Sequence, residues 1–391
     1  MTPKTFAALG VRPLINAQGR LTRLGGSIMA PEVVAAMADA STSYVDIFEL
    51  QREVGRRLAE LTHNEAAYVC TGAATGLFLT TLACMTGTDS EVLAQLPRAD
   101  LPKNEVVIHA CHRFSYDPAV RLAGATFKEV GDARETAPWQ LEEAIGPRTA
   151  AVLYLAGEVN RRSALSLEQT IEIAHADGVP VIVDAAAQLP PAENLWRYTR
   201  DLGADLAIFS GGKDLRGPQS SGLIVGRRDL IDAVFVNGAP NPYIGRPMKV
   251  GKEEMVGLLA AVERYLSLDH AARLAGFEAT VQGWIDAFIG IPGIHAERAW
   301  PNEAGQPMPR LLLTFDPDVL GFDANDVRHD LWEGEPRIAV GSYGEKHLYL
   351  THAESDPGAR GIYVTPDTLE PGDAEQITER LHAIIRARRR A

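Results

Sequence analysis

Residues 179–213 read VPVIVDAAAQLPPAENLWRYTRDLGADLAIFSGGK, and this stretch decides the fold. Val179–Asp184 is an apolar run that closes on a carboxylate. Asp205–Ser210 is a second, and it runs into Gly211, Gly212 and Lys213. Short apolar runs without polar alternation predict strands buried on both faces. Upstream, Ala150–Leu155 and Glu105–His109 have the same character. Between Ala150–Leu155 and Val179–Asp184 lies Ser166–Gly178, with Leu167, Ile171 and Ala174 on one helical face, Ser166 as N-cap and Gly178 as stop. This is a βαβ unit, and its repetition predicts an α/β domain built on a mostly parallel sheet. Gly222–Gly226 reads as one more strand and follows its predecessor closely enough to allow an antiparallel member.

Further out, the Gly- and Pro-rich segment Asn237–Gly251 precedes a helix-like run, Lys252 to Leu268, read as the bridge to a second domain. Beyond it come a helix near Gly276–Ile289, a strand at Arg310–Phe315, a helix near Ala324–Trp332, strand pieces at Arg337–Val340 and Gly361–Val364, and a final helix over Asp373–Arg388. That mixture predicts a small α+β C-terminal domain. The expected division is an N-terminal arm over 1–45, a large domain over 46–250, and the linking helix with the small domain over 251–391.

The chain has 391 residues, 46% hydrophobic and 23% charged, enough apolar content for one large core and a smaller one. A formal charge of -13 disfavours a nucleic-acid partner, which is bound mainly by cations on phosphates. The basic run Arg386–Arg390 suits the C-terminus of a helix. Cys70, Cys84 and Cys111 have neither disulfide-framework nor metal-ligand spacing, so no metal is expected. MTPKTFAALG is not a signal peptide and no window has the apolar length of a membrane span, so the expected location is the cytoplasm.

In parallel α/β sheets ligands sit outside the carboxyl ends of the strands. Lys213 there can lose its proton by desolvation and form an imine, and Asp184 can hold a pyridinium nitrogen protonated. Alone, Asp184 reads equally as a helix cap and Lys213 as an exposed loop residue. Together, on adjacent β-α units, they point to a pyridoxal 5'-phosphate (PLP) site with Lys213 as the Schiff-base lysine.

Val183-Asp-Ala-Ala-Ala-Gln188 and Phe209-Ser-Gly-Gly-Lys-Asp-Leu-Arg-Gly-Pro-Gln-Ser-Ser-Gly-Leu-Ile-Val-Gly226 resemble the bacterial selenocysteine synthase (L-seryl-tRNA selenium transferase) superfamily, and more nearly its branch containing D-glucosaminate-6-phosphate ammonia-lyase. Ile15–Gly19, Cys70–Ala74 and Gly245–Glu254 extend the likeness. It implies the aspartate-aminotransferase-like fold (PLP fold type I), Lys213 and Asp184 in the roles above, and Gln188 near the cofactor hydroxyl. Thr71-Gly72-Ala73-Ala74 opens a helix whose N–H groups suit a phosphate, with Ser210 a second candidate; an ordinary glycine N-cap is the alternative.

The resemblance further suggests His112, or else His109, as the flat side chain on the cofactor ring; the alternative for either is a structural histidine. Arg113 reads as an anion ligand or a surface pair, and Arg337 as a substrate-carboxylate ligand. Arg246 and Lys249 lie in a basic, glycine-rich segment that in such folds crosses to a neighbouring subunit, and they read as contacts to a cofactor or substrate phosphate. Arg20, with Thr22 and Arg23, lies in a polar stretch that reads either as substrate entrance or as a dimer-interface arm.

These features imply an enzyme acting on a small amino acid, phosphorylated or β-hydroxylated, by α,β-elimination to a keto acid and ammonia. Racemisation and transamination use the same carbanion. Selenium transfer to seryl-tRNA is less expected of an acidic chain that begins almost directly with the catalytic homology. A non-catalytic PLP-fold binding protein has no reason to keep both Lys213 and Asp184. A homodimer or larger homo-oligomer is expected.

Overall fold

The βαβ unit forms in the computed structural model, which describes residues 4–97, 101–157, 163–302, 304–344, 356 and 358–389. The helix Leu167–Ala176 starts on a reciprocal cap: Ser166 Oγ accepts the Gln169 N–H at 3.1 Å, and Gln169 Oε1 accepts the Ser166 N–H at 3.3 Å. In chain order the strands are β1 (Leu14–Ala17), β2 (Ala66–Cys70), β3 (Glu105–His109), β4 (Thr126–Val130), β5 (Thr149–Leu155), β6 (Val181–Asp184), β7 (Leu206–Ser210), β8 (Gly222–Gly226), β9 (Ile294–Ala299), β10 (Arg310–Phe315), β11 (Arg337–Tyr343) and β12 (Gly361–Val364).

The larger compact unit comprises Ser27–Leu268 and Glu303–Gln306. Its seven-stranded sheet has the order β2-β8-β7-β6-β5-β3-β4. Neighbours from β4 to β7 are parallel, and β8 is antiparallel to both β7 and β2. The strands are apolar on both faces because both faces are covered. Val181, Val183, Ala207 and Phe209 enter one core, while Ile182, Leu206 and Ile208 enter the other. The second face is filled by the helix Ala73–Thr86, buried nearly all round. There Gly76 lets the helix approach β7: a Cβ at that position would lie 2.6 Å from Ile208 Cγ2.

The helix Lys252–Leu266, read from sequence as a bridge, is part of this larger unit. Met255, Leu258, Ala261, Val262 and Tyr265 enter the first core, and burial of Met255, Leu258 and Val262 stabilises it by roughly 1.5–3 kcal/mol each. The unit boundaries therefore fall at Gly26/Ser27 and Leu268/Asp269, where the sequence suggested 45 and 250.

The smaller unit comprises Met1–Gly26, Asp269–Asn302 and Pro307–Ala391. Its sheet has the order β1-β11-β12-β10-β9, with β1 parallel to β11 and the other neighbours antiparallel. The N-terminal segment is thus a strand of this sheet. Trp284, Phe288, Leu311, Leu313, Ile338, Val340, Ile362 and Leu381 form its core. The helix expected near Gly276–Ile289 begins earlier, at His270, because Asp269 accepts the Ala272 N–H and caps it there. The final helix, Asp373–Arg388, ends with Arg388 paired to Asp326 and Asp330, as suits a cation at a helix C-terminus.

Candidate active site

The carboxyl ends of β2, β7, β6, β5 and β3 face one way, and Thr71, Ser210, Lys213, Asp184, Gln188 and His112 follow or close these ends. Asp184 ends β6 and is 5% exposed. Its Oδ1 accepts the Ala186 N–H at 3.0 Å in a tight turn, and the residues after it form a turn and no helix, so it is not a helix cap. Burial pushes its carboxyl above the ordinary range; the Ala186 N–H and the charge of Lys213 pull it back. Lys213 is half-buried in the turn that follows β7.

Gly211 and Gly212 make this turn possible in a way the sequence did not reveal. The chain returns tightly on itself: a Cβ on Gly211 would lie 2.0 Å from Ser221 Oγ, and one on Gly212 would lie 2.6 Å from Gln219 Cα. The close approach is to the protein's own chain, the Ser221 hydroxyl for Gly211 and the Gln219 backbone for Gly212.

The phosphate candidates converge across β8. Gly222 pairs with Cys70 of β2 on one side and with Ser210 of β7 on the other. The turn Thr71-Gly72 and Ser210 therefore flank Gly222. Gly72, with φ +94°, is the N-cap of the helix Ala73–Thr86, and no side chain caps that terminus. Its N–H groups suit an anion. A Cβ on Gly222 would lie 2.7 Å from the carbonyl carbon of Gly72 and 2.9 Å from the nitrogen of Ala73. Gly222 was missed in the sequence, since only the folded register brings it under the turn.

His112 follows β3 in the 3-10 turn Ala110–His112. It borders β5, where the sheet order reverses and a ligand crevice is expected. Its Nδ1 accepts the Leu155 N–H at 3.3 Å, so the proton of the neutral ring resides on Nε2. The ring is fully buried, 4.6 Å from Tyr154 and 5.1 Å from His109. His109, the alternative, lies between the hydroxyls of Thr136 and Thr170, and burial lowers its pKa to about 3.

The Gln188 side chain is buried, and its amide donates to the Ala304 carbonyl at 2.8 Å. Arg113 pairs with Asp117 at 2.6 Å and with Glu129, and stacks over Phe127, which is the surface-pair alternative. Arg246 and Lys249 are exposed on the loop before Lys252–Leu266.

Within the smaller unit, Arg20 forms a buried ion pair with Asp367 at 2.7 Å and also donates to the Asp367 carbonyl. Arg337 opens β11; its Nε donates to the Trp332 carbonyl at 3.0 Å, with the guanidinium 4.4 Å from the Trp332 ring centre.

A lysine, a buried acid and an uncapped helix N-terminus along one rim form the donor set that PLP needs, so the residues fit that cofactor. A cavity of about 620 Å³ lined by His63, His175, Asp205 and Arg227 lies at the opposite strand ends, since Asp205 precedes β7. Among the described residues no cluster of His, Cys, Asp and Glu is placed to hold a metal ion, and no helix is long and apolar enough to cross a membrane. The three cysteines are free.

The family model for L-seryl-tRNA selenium transferase matches residues 14–277. The chain is 35% identical over 387 residues to 5'-C-glycyluridine monooxygenase-decarboxylase of Streptomyces sp, covering 97% of this chain and 92% of that protein. It is 34% identical over 390 residues to D-glucosaminate-6-phosphate ammonia lyase of Salmonella typhimurium, covering 98% of each. A solved structure of D-glucosaminate-6-phosphate ammonia-lyase superposes with a TM-score of 0.82 at 33% identity over 99% of both chains. The aminotransferase-like fold expected from the sequence is thereby borne out.

Proposed function

Because this chain belongs to the L-seryl-tRNA selenium transferase family, we propose that it is a PLP-dependent lyase that removes ammonia from a small 2-amino-3-hydroxy acid. The observation that carries the reading is the pairing of Asp184 and Lys213 at adjacent strand ends. PLP, when bound, supplies the electron sink that makes the substrate α-proton acidic. Asp184 would hold a proton at the ring nitrogen, aided by burial that favours the shared proton. The turn Thr71-Gly72-Ala73 and Ser210 would hold the phosphate, with Gln188 and His112 bordering the ring.

Lys213 would carry the cofactor and then, as a free amine, take the proton from the substrate α-carbon. The β-hydroxyl leaves as water, and hydrolysis of the enamine gives a 2-keto acid and ammonia, with no net redox change. Exposed Arg246 and Lys249 suit an anionic substrate group or a neighbouring subunit. Free thiols support a reducing, cytoplasmic setting, and an assembly of at least two copies is part of this proposal.

The test is to offer the PLP-loaded protein D-glucosaminate 6-phosphate and simpler β-hydroxy amino acids. Keto acid and ammonia in equal amounts are expected. A second reading follows from the 35% identical Streptomyces relative: decarboxylation with oxygen as co-substrate. Carbon dioxide release with oxygen uptake from 5'-C-glycyluridine, and no ammonia from the hydroxy acids, would select it. Exchange of the α-proton for deuterium without keto acid would select racemisation.

A further inference from the structure

The lysine turn is tied to a segment far away in the sequence. Ser27 Oγ lies 2.9 Å from the carbonyl oxygens of both Gly212 and Lys213, so one hydroxyl proton is shared between the two peptide groups that bracket the lysine. One residue on, Arg216 Nε donates to the Ile28 carbonyl at 2.7 Å, and the Ala30 N–H reaches the Arg216 carbonyl at 3.4 Å. Arg216 closes the turn with φ +53°, a left-handed conformation that a non-glycine residue adopts at a cost. Its own N–H donates to the Lys213 carbonyl at 3.0 Å. The strap Ser27–Ala30 and the turn Lys213–Arg216 are thus joined at both ends. The left-handed residue is held by the strap.

We infer that Ser27 and Arg216 are positioning residues for Lys213, the strap fixing the peptide from which the lysine projects. A lysine that must first capture a carbonyl and then move a proton at a defined atom needs its Cα fixed, because small displacements of a reacting group cost rate steeply. Neither residue touches the reacting atoms. The inference rests on the proposed role of Lys213.

The experiment measures two quantities on S27A, S27T, R216G and K213A: the Kd for PLP, and the pH at which the visible absorption band of the loaded protein titrates. S27A is expected to bind PLP roughly threefold to tenfold more weakly, as for a lost hydrogen bond, and to shift the titration. S27T keeps the hydroxyl and is expected to stay within about twofold of wild type. R216G relieves the left-handed strain but deletes the guanidinium anchor, so it should move both quantities in the S27A direction. It carries the test if S27A does not fold.

Unchanged Kd and titration in S27A and R216G would overturn the inference. So would equal losses in S27A and S27T, which would assign the effect to packing. K213A separates this from failure of the underlying reading: a normal, borohydride-fixable band in K213A would remove Lys213 itself.

Discussion

Asp184 and Lys213 oppose each other's environment: burial at the end of β6 drives the Asp184 carboxyl toward its neutral form, and the charge of Lys213 draws it back toward the ionised one. The net direction is upward. An acid in this state suits a shared proton, and it makes the cofactor-free protein sensitive to pH.

The sign follows from linkage. An unfolded Asp titrates near 3.9, and in the folded chain Asp184 titrates higher. Between those values the folded chain holds a proton that the unfolded chain has lost, so this contribution to stability is full below about pH 3.9 and declines as pH rises through the folded value. In cofactor-free protein the wild type should lose stability relative to D184N across that window, read by urea unfolding; a flat difference would count against it. In loaded enzyme D184N should lower kcat by on the order of 10²–10⁴.

Gly222→Ala tests the phosphate turn without touching a polar group. The added Cβ would meet the backbone of Gly72 and Ala73 at 2.7 and 2.9 Å, where neither side has a flexible atom to give way. A loss of about 1–3 kcal/mol in stability is expected, as for overpacking elsewhere. PLP affinity should fall about tenfold or more by equilibrium titration, because displacing the N–H groups weakens anion binding. Wild-type affinity in a stably folded variant would show that the turn does not hold the cofactor.

How far the sequence carried this site depends on how local each signal is. The apolar strands ending at Asp184 and Ser210, the Ser166 cap and the uncapped turn at Thr71 are written in neighbouring residues, and they were legible. So was the lysine, since its two glycines immediately precede it. Ser27, Gly222 and the Gln188–Ala304 bond are set by contacts between distant parts of the chain, and no pattern of spacing announces them. The arginines show the reverse limit. Arg20 read as substrate entrance or interface arm, but it is held by Asp367, which sequence cannot place beside it, whereas Arg113 takes the surface-pair alternative with Asp117, four residues on.

For Arg20 the partner is Asp367, and both side chains are nearly inaccessible. Removing one member of a buried pair leaves the other charge uncompensated, which costs about 3–5 kcal/mol. R20M should therefore lower the thermal midpoint sharply, and the double variant R20M/D367L should recover part of the loss. Failure of the second change to recover any stability would mean that Arg20 acts through other contacts.

His109 supplies an acid-sensitive element of opposite sign to Asp184. Its imidazole lies buried between Thr136 Oγ1 and Thr170 Oγ1, each at 3.3 Å, and titrates at about 3 against about 6.5 for an unfolded histidine. Burial is the larger cause and the neighbouring His112 the smaller. Below about pH 6.5 the unfolded chain takes up a proton that the folded chain refuses, so stability declines as pH falls from there toward 3. His109→Gln keeps a donor and an acceptor for the two hydroxyls but cannot titrate. It should be less stable than wild type at pH 7, by about 1 kcal/mol for altered hydrogen bonds. The gap should close and then reverse on acidification, read as thermal midpoints from pH 7 to pH 4. Parallel curves would place the histidine proton elsewhere.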